Sequence, residues 1–454
     1  MTFDHEYGMW DAAYVLGSLS ESDYREFETH LDDCLLCQDA VSDLSEMPAV
    51  LSLLDQEDFL GSDLESNDLT VAVDRELSAG LVAAGVVHQV NGAADHRSTQ
   101  ASVAVIQPPE TVFPIFRPGN YAPVPDELTE FDLPVDGSIP PELNGWYLRN
   151  GPNPREAGGH WCTGDGMVHG VRLENGRAAW YRNRWVRTES FEHPLPLFNA
   201  DGSRNLHSSA ANTHVIRHAG KTLALMDTAL PYELTPDLDT LGAYDFAGKL
   251  TDSMAPHPKV CPITGELHFF GYGDLTHPHI NYYRASADGA VEIRRPIDVP
   301  GLTLMHDFAL TAQHVVFLDL PLVFNPQVAL TRPIERDLPY RWDDEYGARL
   351  GVLRRDDPYG PVRWFDIDPC YVFHVANAFD VASAQGDAIV MQVVRYPEIW
   401  RDNSDFETDA SLWRWTIDLD AGVVAEAQLD DRDIEFPRVD DRRVGAQARY
   451  AVTV

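Results

Sequence analysis

From residue 119 onward one pattern recurs. Short apolar runs such as "KTLALMD" (221–227), "ELHFFGYG" (266–273), "HVVFLDLPLVF" (314–324) and "DAIVMQVVRY" (387–396) are separated by Gly, Pro, Asp and Asn. Runs of this length, rich in β-branched and aromatic residues and bounded by turn formers, predict strands rather than helices. The expected fold class is therefore mainly β: a propeller, a barrel or a sandwich. No exact internal repeat is visible. Residues 119–454 are too many for one sandwich. They suit a propeller of roughly 40 to 50 residues per blade.

The start of the chain is different. The first 70 residues hold 18 Asp and Glu against one basic residue, Arg25, and one proline, Pro48. Ser20-x-x-Asp23 is a capping box that opens a helix. Tyr24, Phe27, Leu31 and Cys34 then recur three or four apart, which makes one apolar face. Residues 59–118 read as a linker containing at most one short helix. They are rich in Gly, Ser, Asn and Asp and end in "VIQPPETVFPIFRPG". The expected organisation is a small all-α module over 1–58, a linker over 59–118 and the β domain over 119–454.

"HLDDCLLC" places His30, Cys34 and Cys37 in a His-x3-Cys-x2-Cys pattern. His30 and Cys34 share a helix face at i and i+4, and Cys37 falls near the next turn. Imidazole and thiolates at this spacing suit tetrahedral Zn²⁺, with His5 the nearest candidate for the fourth ligand. A plain helical hairpin carrying two ordinary cysteines is the competing reading.

Composition excludes some partners. The 72 acidic residues against 34 basic give a net charge of −38, which disfavours nucleic acid and anionic membrane surfaces. The five cysteines (34, 37, 162, 261 and 370) form no disulfide framework. The first residues lack a basic, then apolar, signal-peptide pattern. The best apolar run, Ala79 to Val87, is about half the roughly 20 residues that a bilayer span needs. These features predict a cytoplasmic protein with no transmembrane segment.

Two family resemblances refine this picture. The stretch "WDAAYVLGSLSESDYREFETHLDDCLLCQDAV", within residues 5–55, resembles the N-terminal domain of anti-sigma factors with a His-Cys-Cys zinc motif. That resemblance implies a helical unit that clasps a sigma factor, in a family where some members bind no metal. The transmembrane helix that usually follows it is absent here.

The second resemblance is to the carotenoid cleavage oxygenases, from about residue 119 on. It rests on "NYAPV" (120–124), "YLRNGPNP" (147–154), "HWCTGDGMVHGVRL" (160–173), "LPYELTP" (230–236), "HPKVCPITGEL" (257–267), "MHDFAL" (305–310), "FHVANAFD" (373–380) and "EFPRV" (435–439). It implies a seven-bladed β-propeller with Fe²⁺ on its axis, held by His257, His306 and His374. Glu435 matches a family glutamate that orients a ligand histidine. Asp227 stands where the family usually has Glu, one methylene shorter, which puts its direct reach in doubt. The implied reaction is cleavage of a double bond in a carotenoid, apocarotenoid or related conjugated alkene by O₂. His160 and His169 lie in a family motif but are expected to be structural.

The family pattern also includes a fourth iron histidine and a further glutamate near its C-terminus, and no matching segment follows Glu435 here. The expectations are thus a three-histidine site and a propeller lacking about two blades. Two other readings stay open: a sigma-factor-binding regulator with an inert propeller, and an inactive truncated or chimeric gene product.

Overall fold

The computed structural model describes residues 21–31, 34, 38 and 123–454, apart from 156–161, 200–202, 276, 333, 335–336, 384–385 and 407. Chain contacts divide it into two units, Met1–Thr111 and Val112–Val454. In the first unit, helix α1 spans Glu21–Leu31. Phe27, on the apolar face read from the sequence, is fully buried.

The second unit is almost entirely antiparallel β, in five four-stranded sheets among the described residues. The first contains β1 (Thr129–Phe131), β2 (Gly145–Asn153), β3 (Asp165–Glu174) and β4 (Arg177–Trp185) in the order β2-β3-β4-β1. Its outer strand thus comes from upstream of its inner one. The next three-turn meander is β5 (His214–His218), β6 (Lys221–Leu225), β7 (Tyr232–Leu234) and β8 (Thr240–Ala243). The third is β9 (Lys259–Val260), β10 (Leu267–Tyr272), β11 (Ile280–Ala285) and β12 (Val291–Ile297).

The fourth sheet is interrupted. "HVVFLDLPLVF" reads as one run but forms two strands, β14 (His314–Asp319) and β15 (Leu322–Phe324). Pro321 lies between them and has no N–H to give a ladder. After β15 comes a short helix, α2 (Pro326–Thr331), capped by the Asn325 side chain, which accepts from Val328 N at 3.1 Å. Strand β16 (Tyr340–Trp342) then closes a hairpin with β15. Strands β13 (Ala309–Leu310), β14, β17 (Arg349–Arg354) and β18 (Arg363–Asp366) complete the sheet. The fifth is β19 (Val375–Ser383), β20 (Gly386–Arg395), β21 (Ser411–Asp418) and β22 (Val423–Gln428).

Apolar residues meet between neighbouring sheets. Phe270, Phe308, Phe317, Met391 and Trp415 belong to one continuous core and are fully buried. Each such side chain contributes about 1.5–3 kcal/mol by leaving water. The first strands of successive sheets lie together, β2 beside β5 and β13 beside β19. This is a propeller-like meander. The sequence reading anticipated a seven-bladed type lacking about two blades, and the described residues form five four-stranded sheets and the two-stranded β15–β16 hairpin. Among the described residues no helix is long and apolar enough to cross a membrane.

Candidate metal centre

Three of the first strands are entered through a histidine. His257 precedes β9 by two residues, His306 precedes β13 by three and His374 immediately precedes β19. The possible ligand atoms of these three residues lie within 4.8 Å of one another, and no other such group occurs among the described residues. His257 Nε2 and His306 Nε2 are 3.0 Å apart. The ring planes stand steeply to one another, at 61°, 85° and 78° for the three pairs.

Carboxylates hold the far sides of two rings. His306 Nδ1 lies 3.1 Å from Asp227 Oδ2, so the shorter side chain reaches its histidine directly. Asp227 also accepts from the Tyr272 hydroxyl at 2.8 Å. His374 Nδ1 lies 2.6 Å from Glu435 Oε2. An imidazole that donates its Nδ1–H to a carboxylate presents a bare Nε2 lone pair, the usual form of a metal-ligating histidine.

The electrostatics follow from burial and neighbours. Burial, with His306 and His374 close by, holds His257 well below the ordinary histidine value, so it stays neutral. Burial also opposes protonation of His306, but Asp227, then Asp307 and Glu435, outweigh it and raise its pKa. Burial and Asp227 push the Tyr272 hydroxyl up, and burial and Glu435 do the same to Tyr396. Neither phenol ionises near neutral pH.

An aromatic wall adjoins the imidazoles. The Phe373 ring is 5.5 Å from His306 and 5.3 Å from Phe406. Tyr371 and Trp400 pack against it at 4.7 Å and 5.6 Å. Phe373 is nearly buried and Phe406 is 36 % exposed, so the wall runs from the site to the surface. Phe436, half exposed, lies 5.1 Å from His374. Sequence reasoning did not single out Phe373 or Tyr272, although both sit in runs it quoted.

Other histidines go elsewhere. His169 Nδ1 bonds the Tyr181 hydroxyl at 2.8 Å, and His314 Nδ1 bonds Asp380 at 2.7 Å, so neither joins the group. His160 lies outside the described residues. His214 opens β5 and its ring is 5.4 Å from His257, but its Nδ1 is bonded to Pro256 O at 2.7 Å. In the N-terminal unit, Cys34 N donates to His30 O at 3.1 Å, one helical turn back. His5 and Cys37 lie outside the described residues.

Two neutral histidines make the unit acid-sensitive. Burial lowers His214 to about 4. Burial, with Arg355 and Arg284 nearby, lowers His268 to about 2. Unfolded histidine titrates near 6.5, so below that pH the unfolded chain binds protons that the folded chain refuses. Stability present above about pH 6.5 is then lost as pH falls, by about 1.4 kcal/mol per pH unit for each group. Urea midpoints should drop steadily from about pH 6.5 to 4. His268→Gln, which keeps a partner for the Tyr282 hydroxyl, should flatten that slope. An unchanged slope would show that His268 is protonated in the folded state.

Comparison with known proteins agrees with this geometry. Residues 121–454 match the family model described as retinal pigment epithelial membrane protein. A carotenoid cleavage oxygenase of Mycobacterium tuberculosis is 39 % identical over 382 residues, covering 74 % of this chain and 76 % of that protein. The chain belongs to the carotenoid cleavage oxygenase family. Within that family, a carotenoid 9,10(9',10')-cleavage dioxygenase of Crocus sativus is 34 % identical, over 73 % of this chain and 67 % of that one. Among solved structures, the lignostilbene dioxygenase of Pseudomonas brassicacearum superposes with a TM-score of 0.63 at 28 % identity. That match covers 72 % of this chain and 73 % of the other. The family match covers the described β unit from its first residue and leaves the N-terminal unit outside it.

Proposed function

We propose that this protein is an Fe²⁺-dependent oxygenase that cleaves a carbon–carbon double bond of a carotenoid, apocarotenoid or stilbene-like alkene. The observation that carries the reading is the convergence of His257, His306 and His374 from three different sheets, with Asp227 and Glu435 behind two of them. The donor set fits the ion. Two metal–nitrogen bonds of about 2.1 Å at a right angle span about 3.0 Å, and the Nε2 atoms of His257 and His306 are 3.0 Å apart. Three neutral imidazoles suit divalent iron and leave its charge undiminished.

Bound Fe²⁺ would supply the redox chemistry through which O₂ reacts with an alkene. The balance is simple: the double bond breaks and each carbon takes one oxygen atom, giving two carbonyl products. This asks for no nucleophile and no general base from the protein. Asp227 and Glu435 fix the ring orientations. Phe373, Trp400 and Phe406 offer an apolar surface to an uncharged substrate and keep water from it.

The test is to load the protein with Fe²⁺ under argon, add a carotenoid or a hydroxystilbene, and admit ¹⁸O₂. Bleaching of the substrate and label in both carbonyl products are expected. Protein holding one iron per chain that leaves every such substrate unchanged would refute the proposal.

For the N-terminal unit we propose the zinc module read from the sequence, with His30, Cys34, Cys37 and His5 as ligands and a sigma factor as partner. The helical spacing of His30 and Cys34 supports it. A cytoplasmic setting is part of the same proposal, supported by the buried free thiols of Cys261 and Cys370.

A further inference from the structure

We infer that Lys259 and Asp307 are positioning residues of the metal centre: one buried ion pair ties together the backbone behind all three histidines. The inference rests on the three-histidine reading above. The Asp307 carboxylate is 1 % exposed and lies 2.7 Å from Lys259 Nζ. Its Oδ2 accepts from Val375 N at 2.8 Å, and its Oδ1 from Phe308 N at 2.7 Å. The positions in sequence are what matter. Lys259 is two residues after His257, Asp307 directly follows His306, and Val375 directly follows His374. One side chain therefore joins the entries of β9, β13 and β19, three sheets that share no backbone ladder there.

The chemistry favours this role over a generic ion pair. A buried charge is costly to desolvate, and a hydrophobic replacement of similar volume is often as stable. What a carboxylate provides, and an apolar side chain does not, is directed bonds to several donors at fixed distances. A ligand set must be held to about 0.5 Å to bind its ion well. Lys259 follows Pro258, whose ring fixes one backbone dihedral, so little slack separates the ammonium from the His257 ring. Tyr371 adds a second tie, donating to Leu304 O at 2.9 Å. That tie links the approaches to His306 and His374 only. His257 is joined to the others through Lys259 and Asp307.

The test titrates the full chain with Co²⁺, read by its visible ligand-field bands and by competition with a chelator. Variants are Asp307→Asn, the uncharged double variant Lys259→Met/Asp307→Asn, and Lys259→Arg. Asp307→Asn and the double variant should weaken Co²⁺ binding about 10- to 100-fold, the range for residues that orient metal ligands, and change the band intensities. Lys259→Arg, which keeps the positive charge, should hold affinity within about threefold of the unaltered protein and keep the native bands. A role in folding alone would lower the unfolding midpoint and leave affinity and spectrum of the folded protein intact. That result, in variants with native near-ultraviolet dichroism, overturns the inference while leaving the metal reading standing. Failure of both Asp307 variants to fold would also overturn it, since the pair would then serve the fold. Wild-type protein that takes up no Co²⁺ overturns both.

Discussion

His306→Ala is expected to leave the protein folded, nearly free of iron and at least about a thousandfold slower, a loss of about 4 kcal/mol in barrier terms. Three features make this the most damaging single change at the site. His306 supplies one of only three imidazoles in the described group. Its Nε2 lies 3.0 Å from that of His257. Its removal also strands Asp227, which keeps the Tyr272 hydroxyl but loses its imidazole partner, so a partly buried carboxylate faces the centre uncompensated. Iron per chain, measured by elemental analysis after anaerobic loading, checks the first part of the expectation. The rate of substrate bleaching checks the second. Iron content equal to that of the unaltered protein would remove His306 from the ligand set.

Gly271→Ala is expected to be the most destabilising conservative change in the β unit, by about 3 kcal/mol or more. Gly271 lies on β10, and a methyl group there would sit 2.1 Å from Ser253 O and 3.0 Å from Asp252 Cβ. The obstacle is backbone, not a flexible side chain. The segment it pushes is tied down. The Ser253 hydroxyl donates to Tyr272 O at 2.7 Å and accepts from Tyr272 N at 2.9 Å, and Ala255 N donates to Phe270 O at 2.8 Å. Relieving the clash breaks these bonds in a fully buried place and moves the approach to His257. A thermal midpoint lower by on the order of 5–10 °C is expected, with weaker metal binding alongside. A midpoint within about 1 °C of the parent would show that residues 252–255 can shift without cost. That would weaken the view that the fold holds the histidine rigidly.

The strand content was legible because alternating and continuous apolar runs reflect burial on one or two sheet faces, a local property. "KTLALMD" and "ELHFFGYG" supply β6 and β10 as read. Sheet number came only from the family resemblance, since nothing local in a strand says how many neighbours will surround the axis. The splitting of "HVVFLDLPLVF" into β14 and β15 was marked in the sequence by Pro321. The hairpin of β15 and β16 around α2 was not, because β16 pairs with β15 across an intervening helix.

The candidate site divides the same way. Motif resemblance marked His257, His306, His374, Glu435 and Asp227 as residue types at positions. Whether Asp227, one methylene shorter than Glu, could touch a histidine depended on the backbone distance between the segment after β6 and the entry to β13. The tertiary structure set that at 3.1 Å between side-chain atoms. Nothing in "MHDFAL" tells that the Asp307 carboxylate reaches Lys259 and Val375. The sequence alone determined the mainly β character and the acidity, since each is a sum over local chemistry, while the candidate donors came from motif resemblance. Only the tertiary structure decided which donors meet, which carboxylate backs which ring and what ties them together. Those are distances between residues 48 to 117 positions apart, and chain order does not encode such distances until the sheets pack around a common centre.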